Sequence, residues 1–350
     1  MANFGANDCN PCVLKTLTLI VPTYNMEVYL PCCLDSLMPV AEGGDLEVVI
    51  VNDGSTDRSL EIAENYSLRL PSAIVVIDKE NGGYGSGVNA GLKVATGRYV
   101  KLLDADDWMD SANLRTVVAT LRDMEDVDMV LTPFNVRFPD GRTTTRHVSL
   151  PTGRVLAADE HWHGKTVLNL MHQFFTYRRQ MLIDMRYAQL EHCLYTDAQW
   201  AFSPLASVRT LYAFSLPLYE YRAGRPGQSV DPAVKRLMFP DEVRKTQAMT
   251  RDFAIAHFAS DNMRKCMEAK LEAQVFRLFK KSVIFGFGCV EDMERLDEAL
   301  RHLAPAVWEA LGRRTISRLL PIRFVGRWRR NHEDAILRLG VRLHMMFHKG

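Results

Sequence analysis

Lys101-Leu102-Leu103-Asp104-Ala105-Asp106-Asp107-Trp108 is the stretch on which the reading of this chain turns. It follows the strand-like run Gly97-Arg98-Tyr99-Val100, so an apolar strand ends in a cluster of carboxylates. Side chains on a strand repeat every second residue, which predicts that Asp104 and Asp106 point the same way. Like charges side by side repel on a solvated surface, whereas a divalent cation that prefers oxygen ligands joins them and in turn holds a phosphate. Taken alone, Asp-x-Asp reads better as an acidic loop or a helix cap before Ser111. The residues upstream reverse that reading.

Those residues alternate strands with helices. Thr18-Leu19-Ile20-Val21-Pro22, Leu46-Glu47-Val48-Val49-Ile50-Val51, Ala73-Ile74-Val75-Val76-Ile77 and the run from Arg98 to Leu103 have the apolar, β-branched character of buried strands. Between them, Tyr29 to Leu37, a segment capped by Ser55 or Thr56 and running to about Tyr66, and Gly87 to Ala95 read as helices. Alternation of this kind predicts an α/β fold: a Rossmann-like, mostly parallel central sheet with helices on both faces. Ligands of such sheets bind outside the carboxyl ends of the strands. Every predicted strand ends there in polar or glycine-rich residues: Pro22-Thr23-Tyr24-Asn25, Asn52-Asp53-Gly54-Ser55, Lys79-Glu80-Asn81-Gly82-Gly83 and Asp104-Ala105-Asp106. Four loops therefore converge on one rim.

The second half is less regular. Asp128-Met129-Val130-Leu131 is strand-like and Pro139-Asp140-Gly141 is a turn, while His161 to Gln180 follows no simple period. From about Lys235 the pattern is helical, which divides the chain into a catalytic unit, 1–234, and a C-terminal helical region, 235–350. The tail from Arg313 to Gly350 interleaves arginine with apolar residues. Pro321 and Gly326 split it into two short helices, which either lie on an anionic membrane with Trp328 at the interface or pack on the domain.

A formal net charge of +1 over 350 residues excludes a whole-chain electrostatic case for nucleic acid. Hydrophobic residues make up 47% of the chain, enough for a full core, yet no apolar run reaches the length of a membrane span. Met1 to Asp8 has neither the basic nor the apolar segment of a secretory signal, so the expected location is cytoplasmic and reducing. Of the seven cysteines, Cys9-Asn10-Pro11-Cys12 has the spacing of a metal half-site without a second pair, and Cys32-Cys33 reads as helix packing.

Leu19-Ile20-Val21-Pro22-Thr23-Tyr24-Asn25, Val51-Asn52-Asp53-Gly54-Ser55-Thr56-Asp57, Asn81-Gly82-Gly83 and Asp104-Ala105-Asp106 together resemble the successive motifs of family 2 glycosyltransferases, over residues 15 to about 230. The resemblance implies a GT-A fold and transfer of a sugar, with inversion, from a nucleotide-diphosphate donor, most simply a UDP-sugar. It implies Mg²⁺ or Mn²⁺ on Asp106 and Asp104, with Asp104 also toward the ribose and Ala105 beside them in the motif. Asp107 is expected to cap the following segment, with contact to the metal as the alternative. Asp53 would accept from N3 of uracil, Pro22, Thr23 and Tyr24 would wall the base, and Glu27 would reach the base or ribose. The loop at Gly83 would close over the nucleotide. Where the family commonly has arginine before the asparagine matching Asn89, this chain has Val88, and Lys79 is the substitute.

Asp197, in Tyr195-Thr196-Asp197-Ala198-Gln199-Trp200, matches the family's catalytic base, with Thr196 replacing the usual glutamate. Arg222, Arg225 and Gln228 match a closing loop that reaches the pyrophosphate, where the guanidinium fork suits phosphate. The implied partners are the donor and a glycan or lipid-linked acceptor, at the inner face of a membrane in the second case. His161, His163 and His172 remain unassigned. Two other readings stay open: a nucleotidyltransferase, which wants a glycine- and arginine-rich loop after the first strand, and a silent binding domain of the same fold.

Overall fold

The computed structural model describes residues 15–162, 170–225, 236–316 and 322–332. Their strands, in chain order, are β1 (Leu17–Thr23), β2 (Leu46–Asp53), β3 (Ile74–Lys79), β4 (Tyr99–Leu102), β5 (Trp108–Met109), β6 (Met129–Leu131), β7 (Phe134–Arg137), β8 (Thr143–Arg146), β9 (Val155–Ala157), β10 (Phe175–Arg178), β11 (Thr210–Ala213) and β12 (Tyr219–Arg222). They form a larger sheet in the order β3-β2-β1-β4-β10-β6-β11-β9 and a smaller one in the order β5-β12-β7-β8.

β3, β2, β1 and β4 are mutually parallel, as expected. Every residue of β1 and β2 is buried, so these strands show continuous apolar runs rather than alternation. The Tyr84–Val94 helix packs on β1 and β2, and the Ser59–Arg69 helix on β3. The chain leaves β1 for β2 and β3 on one side, then returns to β4 on the other. That reversal makes the gap between the ends of β1 and β4 the switch point at which an open α/β sheet offers a crevice.

β10 then joins antiparallel to β4, with Thr176 opposite Lys101 and Arg178 opposite Tyr99. Continuing that register back from Thr176 brings His172 alongside the turn that carries Asp104. The smaller sheet does the same for the other side of the cluster: β12 runs antiparallel to β5, with Glu220 opposite Trp108, so Arg222 comes to Asp107.

Helices Phe239–Ile255, Asp261–Phe279, Val290–Leu303, Pro305–Arg313 and Phe324–Trp328 pack on one another, and the first two also reach the Ser203–Ser207 turn of the sheet-bearing part. Trp328, read from sequence either at a membrane interface or packed on the domain, is buried against Phe279, their ring centroids 4.9 Å apart. Arg329 beside it pairs with Asp297 at 2.7 Å and stacks over Trp308. The apolar tail residues seen here are therefore drawn into the helical core by burial, worth roughly 1.5–3 kcal/mol for each large side chain. Residues 333–350 of the tail lie outside the described residues, as do the cysteines of the 9–12 half-site, His163 and Gln228. No helix among the described residues is long and apolar enough to cross a membrane.

Candidate active site

The carboxylate cluster is built differently from its sequence reading. β4 stops at Leu102, and Asp104 to Asp107 form a turn in which the Asp107 N–H donates to the Asp104 carbonyl at 3.0 Å. Turn geometry rather than strand alternation brings the side chains together. Asp107 is not a helix cap either. Asp110 holds that position for the Ser111–Asp123 helix, accepting from the Asn113 N–H at 2.9 Å. Asp107 is buried and faces the same centre, so that Asp104, Asp106 and Asp107 each offer an oxygen within 4.8 Å of the others.

Three such carboxylates repel. Burial, then the neighbouring charges, pushes the pKa of Asp107 well above the ordinary carboxylate range, and burial with Asp104 pushes Asp106 in the same direction. The protein offsets part of this with donors. Tyr219 gives its hydroxyl to Asp107 at 2.7 Å, Tyr84 gives its hydroxyl to Asp104 at 2.9 Å, and the Arg225 Nε–H donates to Asp106. Both phenols are held protonated by burial and by the charge of Asp104. A set of hard oxygen donors gathered against their own repulsion fits a divalent cation.

Arg222 and Arg225 reach this cluster from the segment after β12. Arg222 donates to the Asp106 carbonyl at 2.9 Å and lies over the Trp108 ring, while Arg225 lies over Tyr29. Both arginines thus stand at the carboxylate end of the crevice.

The other predicted donor residues line the rim of β1 to β3, where loops are tied to one another. Asp53 accepts from the Gly82 N–H at 2.9 Å, the Gly83 N–H at 2.8 Å and the Lys79 ammonium at 2.6 Å. The glycine amides, readable as a phosphate cradle, therefore organise the Asp53 carboxylate. Gly83 has φ +81°, a conformation open to glycine, and starts the helix that carries Tyr84. Lys79, read from sequence as a substitute for the missing arginine, is paired with Asp53. Pro22 packs on that helix, where a Cβ on Gly87 would lie 3.1 Å from its ring. Thr23 is buried with its hydroxyl on the Val21 carbonyl, and Tyr24 is exposed. Glu27 accepts from the Arg58 N–H at 3.0 Å, and its own N–H donates to Asp57, bracing two loops against each other. Asp57 also accepts from the Ser59 N–H, the capping work expected of Ser55 or Thr56.

Asp197 opens the short Asp197–Trp200 helix, and its side chain is 41% exposed. Thr196 beside it is fully buried, its hydroxyl without a hydrogen-bond partner among the described residues. The preceding segment keeps Arg186, His192 and Tyr195 at positive φ, and Asn89 anchors it by hydrogen bonds to the backbone of Gln189 and to Glu191. Left-handed backbone at bulky residues costs about 1–3 kcal/mol each and gathers at working sites.

Between the two halves stands His172, which the sequence left unassigned. It is buried, with Nε2 3.2 Å from the Asp104 carboxylate and Nδ1 3.3 Å from that of Asp197. Burial favours the neutral ring, but the two carboxylates outweigh it and push the pKa up to about 10. The resulting imidazolium in turn outweighs the burial of Asp197 and holds that carboxyl below its ordinary range. No local pattern marked His172, because its role comes from the β10–β4 register. For Asp107 the signal was present, in the adjacency of Asp106 and Asp107.

The solved structure of S. aureus TarS 1-349 in complex with UDP-GlcNAc shares this architecture, with a TM-score of 0.71 at 20% identity over 95% of this chain and 92% of that one. The fold is thus GT-A, a class of glycosyltransferases. The model of glycosyl transferase family 2 matches residues 18–186. The uncharacterized glycosyltransferase EpsJ of Bacillus subtilis (strain 168) is 36% identical over 148 residues, 42% of this chain and 42% of EpsJ. The uncharacterized glycosyltransferase MG025 homolog of Mycoplasma pneumoniae is 31% identical over 221 residues, 61% of this chain and 69% of that protein. The chain belongs to glycosyl transferase family 2 and spans about half the length of the first curated relatives it matches.

Proposed function

We propose that this enzyme transfers a sugar from a UDP-sugar to an acceptor hydroxyl with inversion, using Asp197 as base. The observation that carries the reading is the pair of carboxylate centres on either side of His172: a buried, cation-seeking group at Asp104 and a half-exposed one at Asp197. The first suits a pyrophosphate leaving group and the second an acceptor. The acceptor oxygen gives its proton to Asp197 and bonds to the anomeric carbon, while the bond from that carbon to the phosphate oxygen breaks and its electron pair leaves with UDP. A base of low pKa works here by position more than by basicity, and His172 fixes that position.

Asp104, Asp106 and Asp107 would hold Mg²⁺ or Mn²⁺, which when bound neutralises charge on the departing diphosphate. Arg222 and Arg225, with Gln228 of the closing loop, add positive charge and hydrogen bonds at the same end. Asp53 would read the uracil, since its Oδ2 accepts one hydrogen bond from Gly83 and keeps capacity for another. Tyr24 offers an exposed ring for stacking, with Pro22, Thr23 and Glu27 around it. UDP as the nucleotide is supported by TarS, whose structure holds UDP-GlcNAc. A glycan or lipid-linked acceptor, met in the cytoplasm or at the inner face of a membrane, is consistent with this chemistry. In this reading 1–234 is the catalytic unit, and 235–350 supplies a wall on the acceptor side.

Incubation with a panel of UDP-, GDP- and dTDP-sugars, with and without Mn²⁺, tests the proposal through nucleotide release and product stereochemistry. UDP release that depends on the metal, with an inverted product, is the expected result. Release from another nucleotide only, or retention of configuration, would refute it.

A further inference from the structure

A cavity of about 750 Å³ opens beside Asp197 and His172. Leu170, Phe174 and Met249 give it an apolar wall, while Arg146 and Arg277 bring positive charge; Lys270 is turned to the Leu170 carbonyl and burial lowers its pKa to about 7. Asp197 is the one carboxylate among the described residues that line it. Arg146 and Arg277 form no ion pair among the described residues, and Arg277 is held by a hydrogen bond to Gln274 at 2.6 Å. Arg277 also lines a neighbouring cavity of about 450 Å³ with Lys280 and with Arg314, the last of which is paired with Glu272 at 2.9 Å. Asp106 and Asp107, the carboxylates at the phosphate end of the crevice, do not line either cavity.

Cations gathered in a concave site without matching carboxylates concentrate anions there, and arginine meets phosphate oxygens with two parallel hydrogen bonds. The donor's own diphosphate belongs to the carboxylate cluster on the far side of His172. We propose that this cavity is the acceptor subsite and that the acceptor carries a phosphate, held by Arg146 and Arg277 so that a hydroxyl near it reaches Asp197. The apolar wall takes the carbon skeleton. The proposal rests on the transferase reading given above. A soluble polyol phosphate and a lipid headgroup share this chemistry.

The test uses the full chain saturated with UDP and Mn²⁺, which fills the donor site. In one arm, calorimetry compares sn-glycerol 3-phosphate with glycerol. In the other, flotation compares vesicles of phosphatidylglycerol with vesicles of phosphatidylcholine. At least one phosphate probe should bind about tenfold or more tighter than its neutral counterpart, and the R146Q/R277Q variant should lose that preference. UDP affinity of the variant, unchanged within about twofold, shows that it is folded. Equal binding of charged and neutral probes in both arms, or a preference that survives in the variant, would overturn the subsite. Failure of the wild-type chain to bind UDP in the same samples would instead sink the donor assignment, since glycerol phosphate binding is read separately.

Discussion

Nδ1 of His172 lies 3.3 Å from the Asp197 carboxylate, while Nε2 of the same ring lies 3.2 Å from Asp104. One buried ring thus stands between the carboxylate cluster and Asp197, and the two carboxylates favour its charged form. Replacing Asp197 by Asn should leave UDP binding close to wild type and lower turnover by about 10²–10⁴-fold. His172→Gln should lower kcat more than the KM for donor, because it frees Asp197 without removing it. Steady-state kinetics decides, and an Asp197→Asn enzyme of near-normal turnover would move the base elsewhere.

Asp106 sits in the carboxylate triad with Arg225 as its present countercharge. Asp106→Asn should abolish transfer with little loss of stability, since one of three repelling acids, itself buried, is relieved. Asp107→Asn should also weaken Mn²⁺ binding, read by the paramagnetic broadening of water protons. Full activity in excess EDTA would remove the metal from the account.

Lys101 is fully buried, donating to the Gln173 carbonyl at 2.5 Å, and burial lowers its pKa to about 7. Unfolded, the same ammonium titrates near 10.4. Between these values the unfolded chain binds more protons than the folded one, so this group makes stability rise with pH from about 7 to about 10.4. Lys101→Met should flatten that slope, visible as a smaller gain in Tm between pH 7 and 9. An unchanged slope would mean that the amine is solvated in the folded state.

A Cβ on Gly85 would lie 2.2 Å from the Leu190 carbonyl, where the Tyr84–Val94 helix meets the segment leading to Asp197. Gly85→Ala should therefore cost about 1–3 kcal/mol of stability, as overpacking does. It should also reduce turnover by displacing the base. Urea unfolding and kinetics on the same sample test both consequences.

Trp328 is buried against Phe279, so Trp328→Ala should destabilise the C-terminal helices by about 3–5 kcal/mol. Vesicle binding that falls while the melting temperature holds would return Trp328 to the membrane.

The sequence by itself determined the parallel half of the fold and the list of residues at its rim. β1 to β4 are mostly apolar runs closed by polar loops, a pattern local enough to read from period and composition, and the motif spacing carried the family. Asp53, Asp104, Asp106 and Asp197 were legible for the same reason. What only the tertiary structure decided is how those groups are arranged. Asp104 to Asp107 converge through a turn, which adds Asp107 to the cluster. Gly82 and Gly83 turn their amides on Asp53. His172 reaches Asp104 because β10 runs antiparallel beside β4, and Trp328 is buried because Phe279 of another helix lies against it. Each of these depends on strand register or on packing between segments far apart in sequence. A register shift of one residue turns a side chain to the opposite face, and nothing in the local sequence of residues 170–178 fixes that register.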